Sequence, residues 1–288
     1  MNIIKLIRVK HWLKNGLLFL PVFFSLNLLK TSYITNCILG FIVFSLISSI
    51  VYVINDINDI EKDKLHPIKK ERPLASGKIK PLEAKIIIGV LFILSTIMMI
   101  VLYQRIENVL VFIIPFIYLI INLLYSFGFK NIPIVDVVII VTGFVLRVMY
   151  GGIIIDVEVS KYLYLMIIFA SFFLAFGKRR NEILKNGEKS RKVLSKYNEQ
   201  FLDKNMYISL ALAVVSYSLW CVDPTTISRI GNDYMFWTIP LVMIILQLYS
   251  LDIEKESYGD PIEVILGDKK LLIVSIVYII VMGGILYL

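Results

Sequence analysis

Nine apolar runs, most of them long enough to cross the roughly 30 Å hydrocarbon core of a bilayer, leave this chain of 288 residues few folds to adopt. They lie at approximately 16–29, 37–54, 86–103, 109–127, 134–155, 162–177, 206–222, 234–250 and 271–288, the first and sixth being short. Inside a membrane each backbone N–H and C=O must be satisfied by the chain itself, so runs of this kind are read as helices. The composition agrees, with 58% hydrophobic residues and a mean hydropathy of +0.80. The expected fold class is an all-α polytopic membrane protein with nine transmembrane helices, one domain over 1–288. Residues 1–15 are basic and amphipathic, and the apolar run after them has no small-residue cleavage site, so no cleavable signal peptide is expected.

Lysine and arginine are retained on the cytoplasmic side of a membrane, and here they crowd alternate loops. One side holds Lys5, Arg8, Lys10 and Lys14, then Lys62 to Lys85, Lys130, Lys178 to Lys204, Lys255, Lys269 and Lys270. The other holds Lys30, Arg105, Lys161 and Arg229. The N-terminus is therefore expected in the cytoplasm and the C-terminus outside the cell membrane. Topology, with some attraction to anionic membrane lipids, accounts for the net charge of +8, and no nucleic acid partner is implied. Cys37 and Cys221 sit in or beside apolar spans and form neither a disulfide framework nor a metal motif. No short-period repeat is visible. Corresponding Gly/Pro-broken spans, the mark of many transporters, are not visible either.

The stretch NDINDIEKDKLHPIKKERPLASG, Asn55 to Gly77, places Asp56, Asp59 and Asp63 where an apolar span has just ended. If the helix continues, spacings of three and four residues put all three acids on one face, where they repel unless a cation neutralises them. Carboxylate oxygens with no thiolate nearby, and only His66 as an imidazole, favour Mg²⁺, which commonly binds one or two carboxylates together with substrate phosphates. A diphosphate ester bridged through Mg²⁺ is the ligand this implies. The plainer alternative is a solvated acidic loop balanced by its lysines. Residues 55–85 form the first cytoplasmic cap loop. A second, 178–204, begins Gly177-Lys178-Arg179-Arg180-Asn181-Glu182, where Lys178 and Arg179 suit phosphate oxygens and Glu182 a second metal. The two loops open to the same side and are expected to cap one central cavity.

Ionisable residues at membrane depth are costly and belong in polar surroundings. Asp136 and Arg147 lie eleven residues apart in one span, on the same side of a helix but roughly 16 Å apart along it, too far to pair. Both are expected to point into a cavity. Asn122, Tyr125 and Ser126 at a span end could line it, or could simply make interhelical bonds and, for Tyr125, an interfacial anchor.

These residues resemble the UbiA superfamily of intramembrane prenyltransferases. Asn55-Asp56-x-x-Asp59-x-x-x-Asp63, then His66-Pro67 and Arg72-Pro73-Leu74-Ala75-Ser76-Gly77, is similar to that family's first signature. Arg8-x-x-His11-Trp12-x-Lys14-Asn15, Tyr125-Ser126 with Lys130, Gly143-x-x-x-Arg147 and Gly177-Lys178-Arg179 with Glu182 look like the branch that moves phosphoribose rather than a prenyl group. The aspartate-rich second motif usual in quinone-type members is replaced by Glu182 and many cations. The resemblance implies helices around a central cavity open to the cytoplasm and the membrane. It also implies Mg²⁺ on Asp56, Asp59 and Asp63 with Glu182 in addition. Phosphoribosyl pyrophosphate is the implied donor and polyprenyl phosphate the acceptor. Lys14, Asn15, Asn55, His66, Arg72, Tyr125, Lys130, Asp136, Arg147, Lys178 and Arg179 are the implied substrate contacts. Three anionic groups in the two substrates give a reason for so many cations. Prenyl transfer from a prenyl diphosphate, or a non-catalytic transporter or lipid-binding role, are the rival readings, and a homo-oligomer is left open.

The charge count yields a direct test of orientation. In a background lacking Cys37 and Cys221, a cysteine placed near Lys189 is expected to react with a membrane-impermeant thiol reagent only in inverted vesicles. One near Asn232 should react only in right-side-out vesicles. Labelling in the reverse sense would overturn the assignment.

Overall fold

Long apolar segments do form helices. A computed structural model of the chain describes residues 2–65, 69–186, 192–254, 264 and 267–288, with no strand among the described residues. The helices are α1 (Asn2–Leu6), α2 (Leu20–Phe24), α3 (Thr31–Asn58), α4 (Ile60–Lys64), α5 (Pro81–Ile106), α6 (Leu110–Phe127), α7 (Val135–Ile153), α8 (Lys161–Asn186), α9 (Glu199–Val222), α10 (Pro224–Ile230), α11 (Ile239–Glu254) and α12 (Lys269–Tyr287). Among the described residues eight helical runs are long and apolar enough to cross a membrane: α3, α5, α6, α7, α8, α9, Tyr234–Glu254 and α12. Their ends are set by side chains that satisfy the free amides of the first turn. Glu83 accepts from the Lys80 amide at 2.8 Å, Asn198 from Phe201 at 2.7 Å and Asp223 from Thr226 at 3.0 Å.

The ninth expected span, 16–29, is built differently. Residues Val9–Phe19 form a 3₁₀ helix, and the chain continues into the short α2. Eleven residues is long for this geometry, whose hydrogen bonds are poorer than those of an α-helix. What it provides is a period of three, which sets Trp12, Asn15 and Leu18 in one row. That row runs antiparallel to α3. Trp12 Nε1 donates to Ser49 Oγ at 3.0 Å and Asn15 Nδ2 to Ser45 Oγ at 3.0 Å. Leu18 lies near Gly40, where an added Cβ would meet its Cδ1 at 3.4 Å. An α-helical period would swing these side chains apart.

The Cα packing groups the chain into two compact units. The first comprises Met1–Phe127 and Leu146–Glu158, the second Gly128–Val145 and Val159–Leu288. In the first, α3 is the central helix, packed by the 3₁₀ row, α5 and α6. Its core gathers Leu18, Phe44, Tyr118, Tyr150 and Ile154. α5 buries only 22% of its apolar window, and Ile86, Val90, Ile93, Ile97 and Ile100 form an exposed stripe of helical spacing that suits lipid. In the second unit α8 packs along α9, and Phe173, Phe176, Leu202, Met206, Tyr249 and Ile253 fill the space around them.

Two glycines mark close approaches between segments. A Cβ at Gly151 would lie 2.1 Å from the Leu18 carbonyl oxygen, and one at Gly177 would lie 3.0 Å from Ile253 Cδ1. The first contact is with backbone, which cannot turn aside. Gly151→Ala is expected to destabilise the protein by about 1–3 kcal/mol, the usual cost of overpacking. Gly283→Ala, with nothing within 4 Å of its Cβ, should leave the melting temperature in detergent unchanged or higher. Equal melting temperatures for the two variants would show that the contact at Leu18 is not rigid.

Candidate functional site

α3 carries its apolar face almost to its end and there presents Asp56, which is 2% exposed. A carboxylate so enclosed requires positive charge beside it. Arg8 provides one, its Nη2 donating to Asp56 Oδ1 in a very short contact from 48 residues earlier in the chain. Arg72 provides the other, with Nη1 donating to Asp56 Oδ1 at 3.1 Å and to Asp63 Oδ2 at 2.7 Å. Asp63 arrives on α4, one short helix beyond α3, and is also buried. The ring of Tyr52 steadies this group, with the Arg8 guanidinium 4.9 Å from its centroid and the His11 ring at 5.4 Å. The carboxylates are enclosed while the arginine side chains stay 21% and 29% exposed, so the cations are the part of the cluster that an anion from solution can touch.

Asp59 is not part of that knot. It caps the end of α3, is 25% exposed, and faces Lys62 Nζ at 3.4 Å. The expected face of three acids is therefore two plus one, because α3 ends at Asn58 and Asp63 lies on a separate helix, α4. Among the described residues no group of three His, Cys, Asp or Glu side chains lies in a metal-holding arrangement. Asp56 and Asp63 nevertheless fit the chemistry of Mg²⁺. Their oxygens converge on one nitrogen of Arg72, so both already reach a single point of positive charge, and hard anionic oxygens are the donors that ion prefers.

Further along α3 the first unit holds a second polar group. Arg147, 5% exposed, donates from Nε to Asn15 Oδ1 at 2.7 Å and from Nη2 to Tyr118 Oη at 2.9 Å. Its guanidinium also lies over the Tyr118 ring at 4.8 Å and that of Phe44 at 5.8 Å. Asn15 turns its amide nitrogen to Ser45 and Ser48, joining the 3₁₀ row to both α3 and α7.

In the second unit Asp136 and Arg179 form an ion pair at 2.6 Å, with side chains 0% and 1% exposed. Arg179 Nη1 also donates to Glu182 Oε2 at 3.0 Å. The other Asp136 oxygen accepts from Tyr197 Oη at 2.7 Å, and that hydroxyl accepts from the Ile134 amide at 2.6 Å. Ile134 has φ +68°, a conformation that a β-branched residue rarely adopts, so the Tyr197 contact sits where the backbone is strained. Burial raises the Tyr197 pKa well above its ordinary value and the Asp136 carboxylate adds to this, while the Ile134 amide acts the other way. The phenol therefore stays protonated and donating at physiological pH.

The expected site residues divide accordingly. Asp56, Asp63 and Arg72 are brought together. Asn15 and Arg147 meet in the adjoining network. Asp136, expected to face a cavity, is instead enclosed, because a buried carboxylate takes the guanidinium that α8 offers it. Arg179 and Glu182, expected on donor phosphate and metal, are engaged in that same structural pair. Lys14, Asn55 and Tyr125 in the first unit and Lys130 and Lys178 in the second are partly exposed. Asn122 and Ser126 bond carbonyls four residues earlier in their own helix. His66 lies outside the described residues. Arg8, Tyr118 and Tyr197 were not among the expected contacts. Ser45, Ser48 and Ser49, at helical spacing inside an apolar run, were the sequence signal that a polar partner packs on α3.

The sequence profile of the UbiA prenyltransferase family matches residues 18–265. The decaprenyl-phosphate phosphoribosyltransferase of Corynebacterium glutamicum is 31% identical over 96% of this chain and 84% of its own length. Its namesake from Mycolicibacterium smegmatis is 30% identical over 99% and 92%. A UbiA homolog from Archaeoglobus fulgidus, solved bound to GPP and Mg²⁺, superposes with a TM-score of 0.75 over 100% of both chains at 20% identity, which shows the shared fold.

Breaking a buried ion pair from one side strands the other charge, at a cost of about 3–5 kcal/mol. Asp136→Asn and Arg179→Met are therefore each expected to lower the melting temperature in detergent more than the double variant Asp136→Leu/Arg179→Met does. A double variant as unstable as the sum of the singles would mean that the two side chains contribute independently.

Proposed function

The chain belongs to the UbiA prenyltransferase family, and on that footing we propose that it transfers 5-phosphoribose from phosphoribosyl pyrophosphate to a polyprenyl phosphate. Pyrophosphate is released, and the product is a lipid-linked sugar for cell-envelope glycan assembly. The observation that carries this reading is the near full-length match, at 29–31% identity, to proteins named for that activity. The reading makes the protein an integral cell-membrane enzyme with its N-terminus, Arg8, Arg72 and the aspartates on the cytoplasmic side.

Chemically, the bond between ribose C1 and the pyrophosphate oxygen breaks, and a bond from C1 to an oxygen of the acceptor phosphate forms. The acceptor is already anionic at neutral pH, so no general base is needed. The difficulty lies in the departing charge, and cations aimed at it are the means of lowering the barrier. Asp56 and Asp63, with Asp59 at the rim, are the residues that would hold Mg²⁺, which when bound supplies positive charge to the diphosphate. Arg72 and Arg8 orient those carboxylates and expose guanidinium nitrogens to phosphate oxygens. Asn55, one residue before Asp56, is assigned a hydrogen bond to the diphosphate. Lys14, Lys130 and Lys178 are the further cations assigned to phosphate groups. Arg147, held by Asn15 and Tyr118, supplies positive charge deeper in the first unit. Asp136, Arg179 and Glu182 are assigned to architecture, because the one guanidinium is already engaged by both carboxylates.

The test is a substrate screen on purified protein with Mg²⁺. Labelled phosphoribosyl pyrophosphate with polyprenyl phosphate should give a labelled lipid, whereas a prenyl diphosphate with aromatic acceptors should give none. The opposite result would assign prenyl transfer instead. Asp56→Asn and Asp63→Asn are expected to lose turnover by roughly a hundredfold or more, if each removes at least one charge-assisted contact of about 1.5–3 kcal/mol together with the site's charge balance. Near-normal turnover in either variant would remove the aspartates from the mechanism.

A further inference from the structure

Behind the aspartate cluster, within the first unit, lies an open pocket of about 450 Å³ that the proposed reaction does not use. Its size falls in the range of roughly 300–1,000 Å³ common for small-ligand sites. Ile57, Ile60, Leu74 and Ile79 give it an apolar wall, and Lys64 and Lys80 stand at its edge. We propose that it holds the anionic headgroup of a membrane phospholipid.

Position favours such a ligand. Pro81 lines the pocket and opens α5, whose Leu82 and Ile86 are 69% and 60% exposed at the head of the lipid-facing stripe. The pocket therefore sits where an exposed apolar helix gives way to charged loop, the depth at which headgroups and the first part of their glycerol and acyl chains lie. Charge favours it too. Glu61 is neutralised by Lys64 at 2.7 Å and Asp59 faces Lys62 at 3.4 Å, which leaves Lys80 as the further cation in the lining, and exposed Lys78 and Lys85 flank it in sequence against exposed Glu83. A soluble phosphate would use the lysines alone, whereas a phospholipid also covers the four apolar side chains.

The pocket has a bearing on the neighbouring cluster. α4 turns Ile60, Glu61 and Lys64 to the pocket and Asp63 to Arg72, and the loop after Arg72 supplies Leu74 and Ala75. A bound headgroup would thus brace from behind the two segments that carry the Arg72–Asp63 contact. This does not depend on which substrate the enzyme takes.

Binding is measured by native mass spectrometry on the full-length protein taken from nanodiscs of phosphatidylcholine mixed with phosphatidylglycerol. The wild type should retain phosphatidylglycerol in preference. Lys64→Gln/Lys80→Gln should weaken that retention by roughly twentyfold to thirtyfold, about fivefold for each lysine near an anionic surface. Ala75→Phe, which places a ring in the pocket and leaves both charges, should weaken it as well. Lys196→Gln/Lys204→Gln, exposed lysines of the second unit, should not. Unchanged retention in the first two variants would overturn the site. So would stabilisation of detergent-solubilised protein by free glycerol phosphate that matches the effect of phosphatidylglycerol and is lost in the same variants, because the ligand would then be a soluble phosphate.

Discussion

A carboxylate at the end of an apolar helix, out of reach of water, must be met by a cation, and Asp56 is the place in this protein where that demand is sharpest. Its two arginines come from opposite directions in the chain, Arg8 from before α3 and Arg72 from after it. Satisfying one buried charge thus draws the N-terminal segment, the end of α3, α4 and the following loop to a single point. The same arrangement leaves guanidinium groups partly exposed above enclosed carboxylates. It is a constellation suited to gripping a polyanion together with a divalent cation, and a purely structural ion pair has no need of that exposure.

The second unit meets a similar demand differently. Asp136 and Arg179 are enclosed together, with Tyr197 and Glu182 completing the contacts. Nothing in that group stays open to solution except part of Glu182. The chemistry of the two groups is the same, and exposure of the cation distinguishes them: 21% and 29% at Arg8 and Arg72, 1% at Arg179. Charge pairs of the enclosed kind add little net stability, yet removing one partner is costly, so they fix how segments pair.

The 3₁₀ stretch from Val9 to Phe19 shows how a polar requirement can override helix propensity. An α-helix would have better hydrogen bonds. Only a three-residue period, however, lines up Trp12 and Asn15 with Ser49 and Ser45 while Leu18 comes against the backbone at Gly151. Asn15 then passes its carbonyl oxygen to Arg147, which ties a residue of α7 to the beginning of the chain.

Hydropathy and spacing, properties of one segment at a time, were enough to establish the membrane class and eight of the nine apolar runs as long helices, and spacing put Asp56, Asp59 and Asp63 on one face, of which Asp56 and Asp63 meet, on Arg72. They also marked Arg147 as an ionisable residue at membrane depth in need of polar surroundings. They could not say that Asn15 and Arg147 are each other's partner, 132 residues apart, nor that Arg8 reaches Asp56. Arg179 reads in sequence as a cation at a helix end suited to phosphate oxygens, and only the approach of α7 to α8 reveals that its charge is already matched. The apolar run at 16–29 likewise carries no sign of its 3₁₀ beginning, because that geometry is imposed by the serines of α3. What the sequence determined by itself was which segments leave water and which charges lie at their ends. Tertiary structure alone decided which of those charges are matched internally and which stay open to a ligand, since a buried charge takes its partner from whatever segment packs against it, however distant along the chain.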